Sequence, residues 1–277
     1  MWLHGLKGLA DAGRRTRKIQ GLEALKALEA LIGRTALVSG AGGPPPRRRR
    51  PGGGRLTPPQ ARSPAVHIAI IGAGNVGGAV ARGVVRAGHT VTVSATDTAH
   101  ARALADEVGG TAAAGTAEAA READATVLAV PYGAIPDVAR EIADAVTGKL
   151  VIDATNPLTA DGSQLAVTDR SGAEETAERL PGAHVVKAFN TVFASHQADP
   201  VIDGTQLDGF YAGDDEQAKN TVAALLEAIG YRPVDAGPLA AARALEHLAF
   251  LNISLNAANG WPWQSGWKLL GPTTPSG

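Results

Sequence analysis

Cysteine is absent from the 277 residues, so neither a disulfide framework nor a thiolate metal site is open to this chain. Only 4% of residues are aromatic and Met1 is the sole methionine. No run approaches the roughly 18 uninterrupted apolar residues that a membrane helix needs, which excludes a helical span. The total carries little charge of either sign, a formal −1, but its distribution is uneven. Residues 1–65 hold 13 Lys and Arg against 3 Asp and Glu; residues 66–277 hold 13 against 24. A basic leader is therefore joined to an acidic body, and an acidic body argues against a broad nucleic-acid-binding surface.

The leader carries little folding information. Nineteen of the 26 residues from Gly40 to Ala65 are Gly, Pro or Arg. Such a tract buries too little apolar surface to offset its chain entropy and is expected to be disordered. Leu22, Leu25, Leu28, Leu31 and Ile32 recur at helical spacing and predict one short amphipathic helix over 21–32. Arg14-Arg15-Thr16-Arg17-Lys18 has no apolar run behind it, so it does not read as an export signal. The four arginines Arg47 to Arg50 read as a solvated run. Val66 is placed to serve as an alternative start, which would leave the leader outside the working protein.

The body opens with a short β-branched run, Val66 to Ile71, that predicts a buried parallel strand. Gly72-Ala73-Gly74-Asn75-Val76-Gly77 follows at once, and Val80, Ala81, Val84 and Val85 then recur at helical spacing up to Gly88. Strand, G-x-G-x-x-G and helix stand in the order that binds a dinucleotide. Gly72 permits the tight turn, Gly74 lets the backbone approach the pyrophosphate, and Gly77 lets helix and strand pack closely. The phosphates then rest on free N–H groups at a helix N-terminus. Thr90 to Val93 supplies the second strand. The alternation continues with helices over 99–108, 116–123 and 135–146 and strands over 111–112, 125–130 and 149–153. This pattern predicts a doubly wound Rossmann sheet of the α/β class, with its ligand at the carboxyl ends of the strands. A small C-terminal α/β domain follows, so the expected division is a leader 1–65, a nucleotide domain 66–188 and a substrate or dimerisation domain 189–277.

The second strand ends Ser94-Ala95-Thr96-Asp97. Ser94 and Thr96 are hydroxyls suited to a 2′-phosphate, and His100 and Arg102 add positive charge, which together favour NADP. Asp97 stands two or three residues later than the usual ribose-binding acid of an NAD site, and reads either as that acid or as a helix cap. Asn156-Pro157 lies just past a strand; Asn156 suits a carboxamide or simply makes a turn. Lys187 and Asn190, at the end of the strand begun by His184, are candidates to meet an anionic or carbonyl-bearing substrate. Their plainer reading is a surface lysine and a capping asparagine. Strand, helix and strand signals recur over 209–213, 216–229 and 231–234, followed by a helix over 239–258 that is apolar around most of its girth and expected to be buried. Its His247 reads as a satisfied interior or interface residue. Trp261, Trp263 and Trp267 read as anchors for the C-terminal tail, with an apolar wall for a flat ligand as the alternative.

The ordered set IGAGNVGGAVA (71–81), LAVPYGAI (128–135), VIDATNPL (151–158), HVVKAFNTV (184–192) and DAGPL–helix–SGWKLLG (235–271) resembles the bacterial branch of the NADPH-dependent coenzyme F420 reductases. These are deazaflavin:NADP oxidoreductases related to the cytosolic domain of STEAP metalloreductases. The resemblance covers about residues 66–270. It implies hydride exchange between NADP(H) and a coenzyme F420-type deazaflavin in a cytoplasmic enzyme, commonly a homodimer, with a small-molecule acceptor as its partner. It implies no metal and no catalytic acid or base. By position, Ala73 to Val76 match the pyrophosphate loop, Val130 and Pro131 the segment beside the nicotinamide, and Asn156 and Pro157 a segment near the cofactor. Ala95-Thr96 stands where the family usually has Ser-Arg, and His100 where it often has a second cation. A threonine supplies no charge-assisted fork, so relaxed use of NADH is expected. The rival readings are a same-fold reductase of a flavin, quinone, ferric chelate or imine, and a nucleotide-sensing module without turnover. A β-hydroxyacid dehydrogenase fits less well, because that class needs a larger all-helical second domain.

Overall fold

The computed structural model describes residues 65–167 and 169–271. The leader, its helix over 21–32, its arginine run and the expected disorder lie outside the described residues.

In chain order the elements are β1 (His67–Ile71), α1 (Asn75–Arg86), β2 (Thr90–Ser94), α2 (Thr98–Val108), β3 (Thr111–Ala112), α3 (Thr116–Glu122), β4 (Ala125–Leu128), α4 (Ile135–Ile142) and β5 (Leu150–Asp153). They continue with α5 (Gly172–Arg179), β6 (His184–Ala188), α6 (Ala194–Gln197), the hairpin β7 (Val201–Ile202) and β8 (Thr205–Gln206), β9 (Asp208–Gly213), α7 (Glu216–Ile229), β10 (Arg232–Asp235) and α8 (Ala242–Asn259). Eight strands form one sheet in the order β3-β2-β1-β4-β5-β6-β9-β10. Every neighbouring pair is parallel except β6 and β9, where Lys187 stands opposite Ala212 in antiparallel register. The order reverses at β1, flanked by β2 and β4, which is the switch point of a doubly wound sheet.

Alternation along the central strands explains why both faces are covered. Ile68 and Ile70 point into a core shared with Val80 and Val84 of α1, Leu104 of α2 and Leu226 of α7. Ala69 and Ile71 point the other way, against Ala119 of α3, Ile142 of α4 and Ala173 of α5. β5 and β6 repeat the split, Ile152 and Val186 on the first side, Val151 and Val185 on the second.

Helix ends follow local chemistry. Asp215 caps α7 through Ala218 N, and Gly230 closes it in the left-handed region at φ +118°. Ser171 and Glu174 form a reciprocal capping box on α5. α8 buries Ala242, Leu245, Glu246, Ala249, Asn252 and Asn256. Leu251 and Leu255 are exposed on its other side, so the helix is covered on one face rather than all round.

Candidate functional site

The turn after β1 is crowded in two places and open in a third. A Cβ at Gly72, whose φ is +114°, would lie 2.4 Å from the Ala129 carbonyl oxygen; one at Gly77 would lie 1.8 Å from that of Gly72. These two positions need glycine for the protein's own packing. Gly74 differs: its backbone is extended, at φ −79° and ψ −168°, and an added Cβ meets no atom within 4 Å. Ala73 and Val76 are half-buried, and Gly74 and Asn75 are exposed. No side chain caps α1 and its first turn holds no acid, so the helix presents its N–H groups and positive dipole end to that open space.

The end of β2 is less welcoming to a phosphate. Ser94 is buried, its hydroxyl 3.4 Å from that of Thr116. Ala95 is half-buried, and Thr96 and His100 are exposed. Asp97 caps α2, accepting from Ala99 N at 2.9 Å and His100 N at 3.2 Å. Those backbone donors, His100 first, hold its carboxyl below the ordinary range. Val130 and Pro131 follow β4; Val130 is half-buried and stands beside Gly72. Pro131 opens the short turn carrying Tyr132, whose hydroxyl donates to Glu175 at 2.5 Å. Burial, reinforced by Glu175, pushes that phenol well above its usual range.

Asn156 and Asn190 meet. The Asn156 amide donates to the Asn190 backbone oxygen at 3.0 Å, and the Asn190 amide donates to Asn156 Oδ1 at 3.0 Å and to the Leu245 oxygen at 3.1 Å. Pro157 is buried behind them. The pair borders a cavity of about 190 Å³ whose wall includes Val76, Asn156, Phe189, Asn190, Gln197 and Asn252. The Gln197 amide donates to the oxygens of Phe189 and Val192 at 2.9 and 3.1 Å, which fixes its orientation. Two buried acceptors of this wall, Asn190 Oδ1 and Gln197 Oε1, find no donor in the protein. Phe189 bends the chain here with φ +66° and stacks edge-on against Tyr231. Val76, Asn156 and Asn190 were legible as candidates. Gln197 and Phe189 were not, since a four-residue helix and an isolated left-handed residue leave no periodic signal; Asn252 lies on the helix expected over 239–258 but was not singled out.

Lys187 requires a correction. It is wholly buried, its Nζ 2.8 Å from Glu246 Oε1 and 3.4 Å from Asp153 Oδ1, and it offers no charge to a substrate at the surface. Strand alternation puts it on the same face as Val185, where α5 and α8 close over the sheet. Asp153 also accepts from Thr155 N, Thr155 Oγ1 and Thr176 Oγ1. Glu246 also accepts from the first amides of α5, Gly172 N and Ala173 N. His247, expected as an interior or interface residue, is not interior: it is exposed in this chain, with Nδ1 at 2.7 Å from the Arg243 oxygen. Of the three tryptophans, Trp263 packs edge-on against Phe193 and its backbone N–H donates to Asn256 Oδ1, and the Trp267 backbone oxygen accepts from Asp208 N, while Trp261 and Trp263 are each 45% exposed.

Among the described residues no cluster of three or more His, Asp or Glu is placed to hold a metal, and no helix is long and apolar enough to cross a membrane. Residues 67–157 match the family model described as NADP oxidoreductase coenzyme F420-dependent. The F420-dependent NADP reductase of Methanothermobacter marburgensis is 36% identical over 151 residues, covering 52% of this chain and 67% of that protein. Metalloreductase STEAP3 of Rattus norvegicus is 38% identical over 106 residues, which are 38% of this chain and only 21% of that protein. A crystal structure from Arthrobacter sp. FB24, described as a candidate F420-dependent NADP-reductase, aligns at a TM-score of 0.68 with 29% identity, over 75% of this chain and all of that one. With the sheet order, the turn and the ordered motifs all in agreement, this chain belongs to the coenzyme F420-dependent NADP oxidoreductase family.

Proposed function

We propose that this chain transfers a hydride between NADP(H) and a deazaflavin of the coenzyme F420 type. The observation that carries the reading is the pairing of an open, uncapped helix terminus at Gly74 with the cavity that begins two residues on, at Val76. Residues 66–188 are the nucleotide half and residues 189–277 the acceptor half.

The residues fit both groups. Gly72, Ala73, Gly74, Asn75, Val76 and Gly77 cradle the pyrophosphate; Ala95, Thr96 and His100 border the adenosine ribose; Val130, Pro131, Asn156 and Pro157 border the nicotinamide. The nicotinamide, when bound, supplies or takes the hydride, so no protein group needs to act as nucleophile, acid or base. What the chain contributes is orientation and the exclusion of water. Val76, Phe189, Val192 and Phe193 form apolar walls, and Asn190 Oδ1 and Gln197 Oε1 offer acceptors without partners. Buried acceptors left without donors cost about 1–3 kcal/mol each, which favours a ring carrying N–H donors. The pyrimidinedione edge of a deazaflavin or flavin has one; quinones and ferric chelates do not.

NADPH consumption is followed by absorbance with the deazaflavin, FMN, a quinone and a ferric chelate added in turn. Rapid oxidation with the deazaflavin is expected. Turnover confined to another acceptor refutes the choice of substrate, and failure to bind either pyridine nucleotide at millimolar concentration refutes the whole reading.

A further inference from the structure

The segment after α8 grips one wall of the cavity. Phe193, Ala194 and Asn252 belong to that wall. The Trp263 ring meets Phe193 edge-on, with centroids 5.5 Å apart and planes at 76°. Asn252 Oδ1 accepts from the Ser265 hydroxyl at 2.7 Å, and the Asn252 amide donates to the Ser265 backbone oxygen at 3.2 Å. Ser195, next to Ala194, donates its hydroxyl to the Trp263 oxygen at 2.9 Å. Further on, the segment is fastened to β9, where Asp208 accepts from Leu269 N at 2.6 Å and Lys268 Nζ at 2.9 Å. Trp263 itself stands at φ +59°, a conformation that strains a bulky residue and suits glycine. Its N–H donates to Asn256 Oδ1 at 3.1 Å and its oxygen accepts from Ser195, bonds that a glycine would keep. The indole is therefore not needed for the turn, and strained backbone of this kind gathers at active sites and ligand clamps. What the ring touches is Phe193.

We infer that Trp263 is a positioning residue for the electron acceptor: acting through Phe193, it fixes the apolar wall against which a flat acceptor ring rests. The inference rests on the hydride-transfer reading above and deepens it. Phe193 is only half-buried and immediately precedes the four-residue α6, whereas Phe189 is 2% exposed and held by Tyr231. The edge-on contact with Trp263 supplies the constraint that burial supplies to Phe189. A wall fixed in advance binds a planar ring without first being ordered, so losing the constraint weakens acceptor binding. The glycine turn makes none of these contacts, so nucleotide binding is left alone.

Steady-state oxidation of NADPH by coenzyme F420 and by FMN tests this in the full chain, alongside calorimetric titration with NADP+ and thermal melting. The variants are Trp263→Gly, Trp263→Phe, Phe193→Leu and the double variant of Trp263→Gly with Phe193→Leu. Glycine deletes the indole while relieving the backbone, so Tm is expected to hold. Trp263→Gly is expected to raise KM for the acceptor about three- to tenfold, the worth of one aromatic pair. Its kcat and NADP+ affinity are expected to stay within about twofold of the wild type. Trp263→Phe keeps an edge-on partner and is expected to restore KM to within about twofold. With Phe193→Leu already in place, Trp263→Gly is expected to add less than about twofold. An unchanged KM in Trp263→Gly, a Trp263→Phe no better than Trp263→Gly, or a full effect in the Phe193→Leu background overturns this inference alone. So does a fall in Tm and NADP+ affinity together, the mark of general loosening. A wild type that oxidises NADPH with neither acceptor overturns the functional reading and this inference with it.

Discussion

Lys187→Met isolates the charge of the buried cluster. Methionine is unbranched, flexible and of similar reach, so the packing around β6 changes little. The ammonium that stands between Glu246 Oε1 at 2.8 Å and Asp153 Oδ1 at 3.4 Å is lost. Both carboxylates are then left inside the protein with backbone and hydroxyl donors but no cation. Breaking a buried ion pair from one side costs about 3–5 kcal/mol. For a folded body of this size that lowers Tm by roughly 6–20 °C. Urea unfolding followed by circular dichroism reads it. Adding Glu246→Gln keeps an acceptor for the α5 amides and removes one stranded charge, so the double variant is expected to recover at least about 1 kcal/mol of the loss. A single variant within about 1 kcal/mol of the wild type, or strictly additive effects, would refute the cluster's role. In the protein that remains folded, KM for the acceptor is expected to be unchanged, because this side chain does not reach the surface.

The glycine turn makes a paired prediction. Gly77→Ala drives a methyl to 1.8 Å from the Gly72 oxygen and is expected to cost about 3 kcal/mol or more of stability. Gly74→Ala meets nothing in the protein, so Tm should hold while affinity for NADP+ falls about tenfold or more; calorimetric titration and melting together separate the two. Arg243, with help from the Ser171 cap, draws the Glu174 carboxyl down from 4.5 to about 2. A depressed folded-state pKa gives stability that is complete above about pH 4.5 and disappears as pH falls toward about 2. Glu174→Gln is therefore expected to cost about 1–2 kcal/mol near neutrality, with the gap in Tm closing on acidification; a gap that stays constant down to pH 3 would contradict the assignment.

The nucleotide half was legible because its signals are local. A β-branched run, a glycine turn and a helix-spaced stripe of valines each lie within a few residues, and side-chain alternation does the rest. α7 was likewise read to its bounds, since Asp215 and Gly230 mark its ends chemically. What escaped depends on distant partners. Nothing near Lys187 announces that Glu246, 59 residues later, will close over it. The antiparallel placement of β9 arises from a crossing through α6 and the β7–β8 hairpin, elements too short to leave a period. α5 could have been found, because Ser171 and Glu174 are spaced as a capping box. Asp97 illustrates a different limit: its residue type suited both a ribose ligand and a cap, and the geometry gives the cap without removing the charge.

The sheet's two rims bear on how the protein meets copies of itself. One rim is β3, only two residues long; the other is β10, four residues with Pro233 among them. Neither gives a foreign strand much of a ladder to join, since a rim of two residues offers few amides and proline offers none. Growth of this sheet by addition of a strand from another copy is therefore disfavoured at both of its rims.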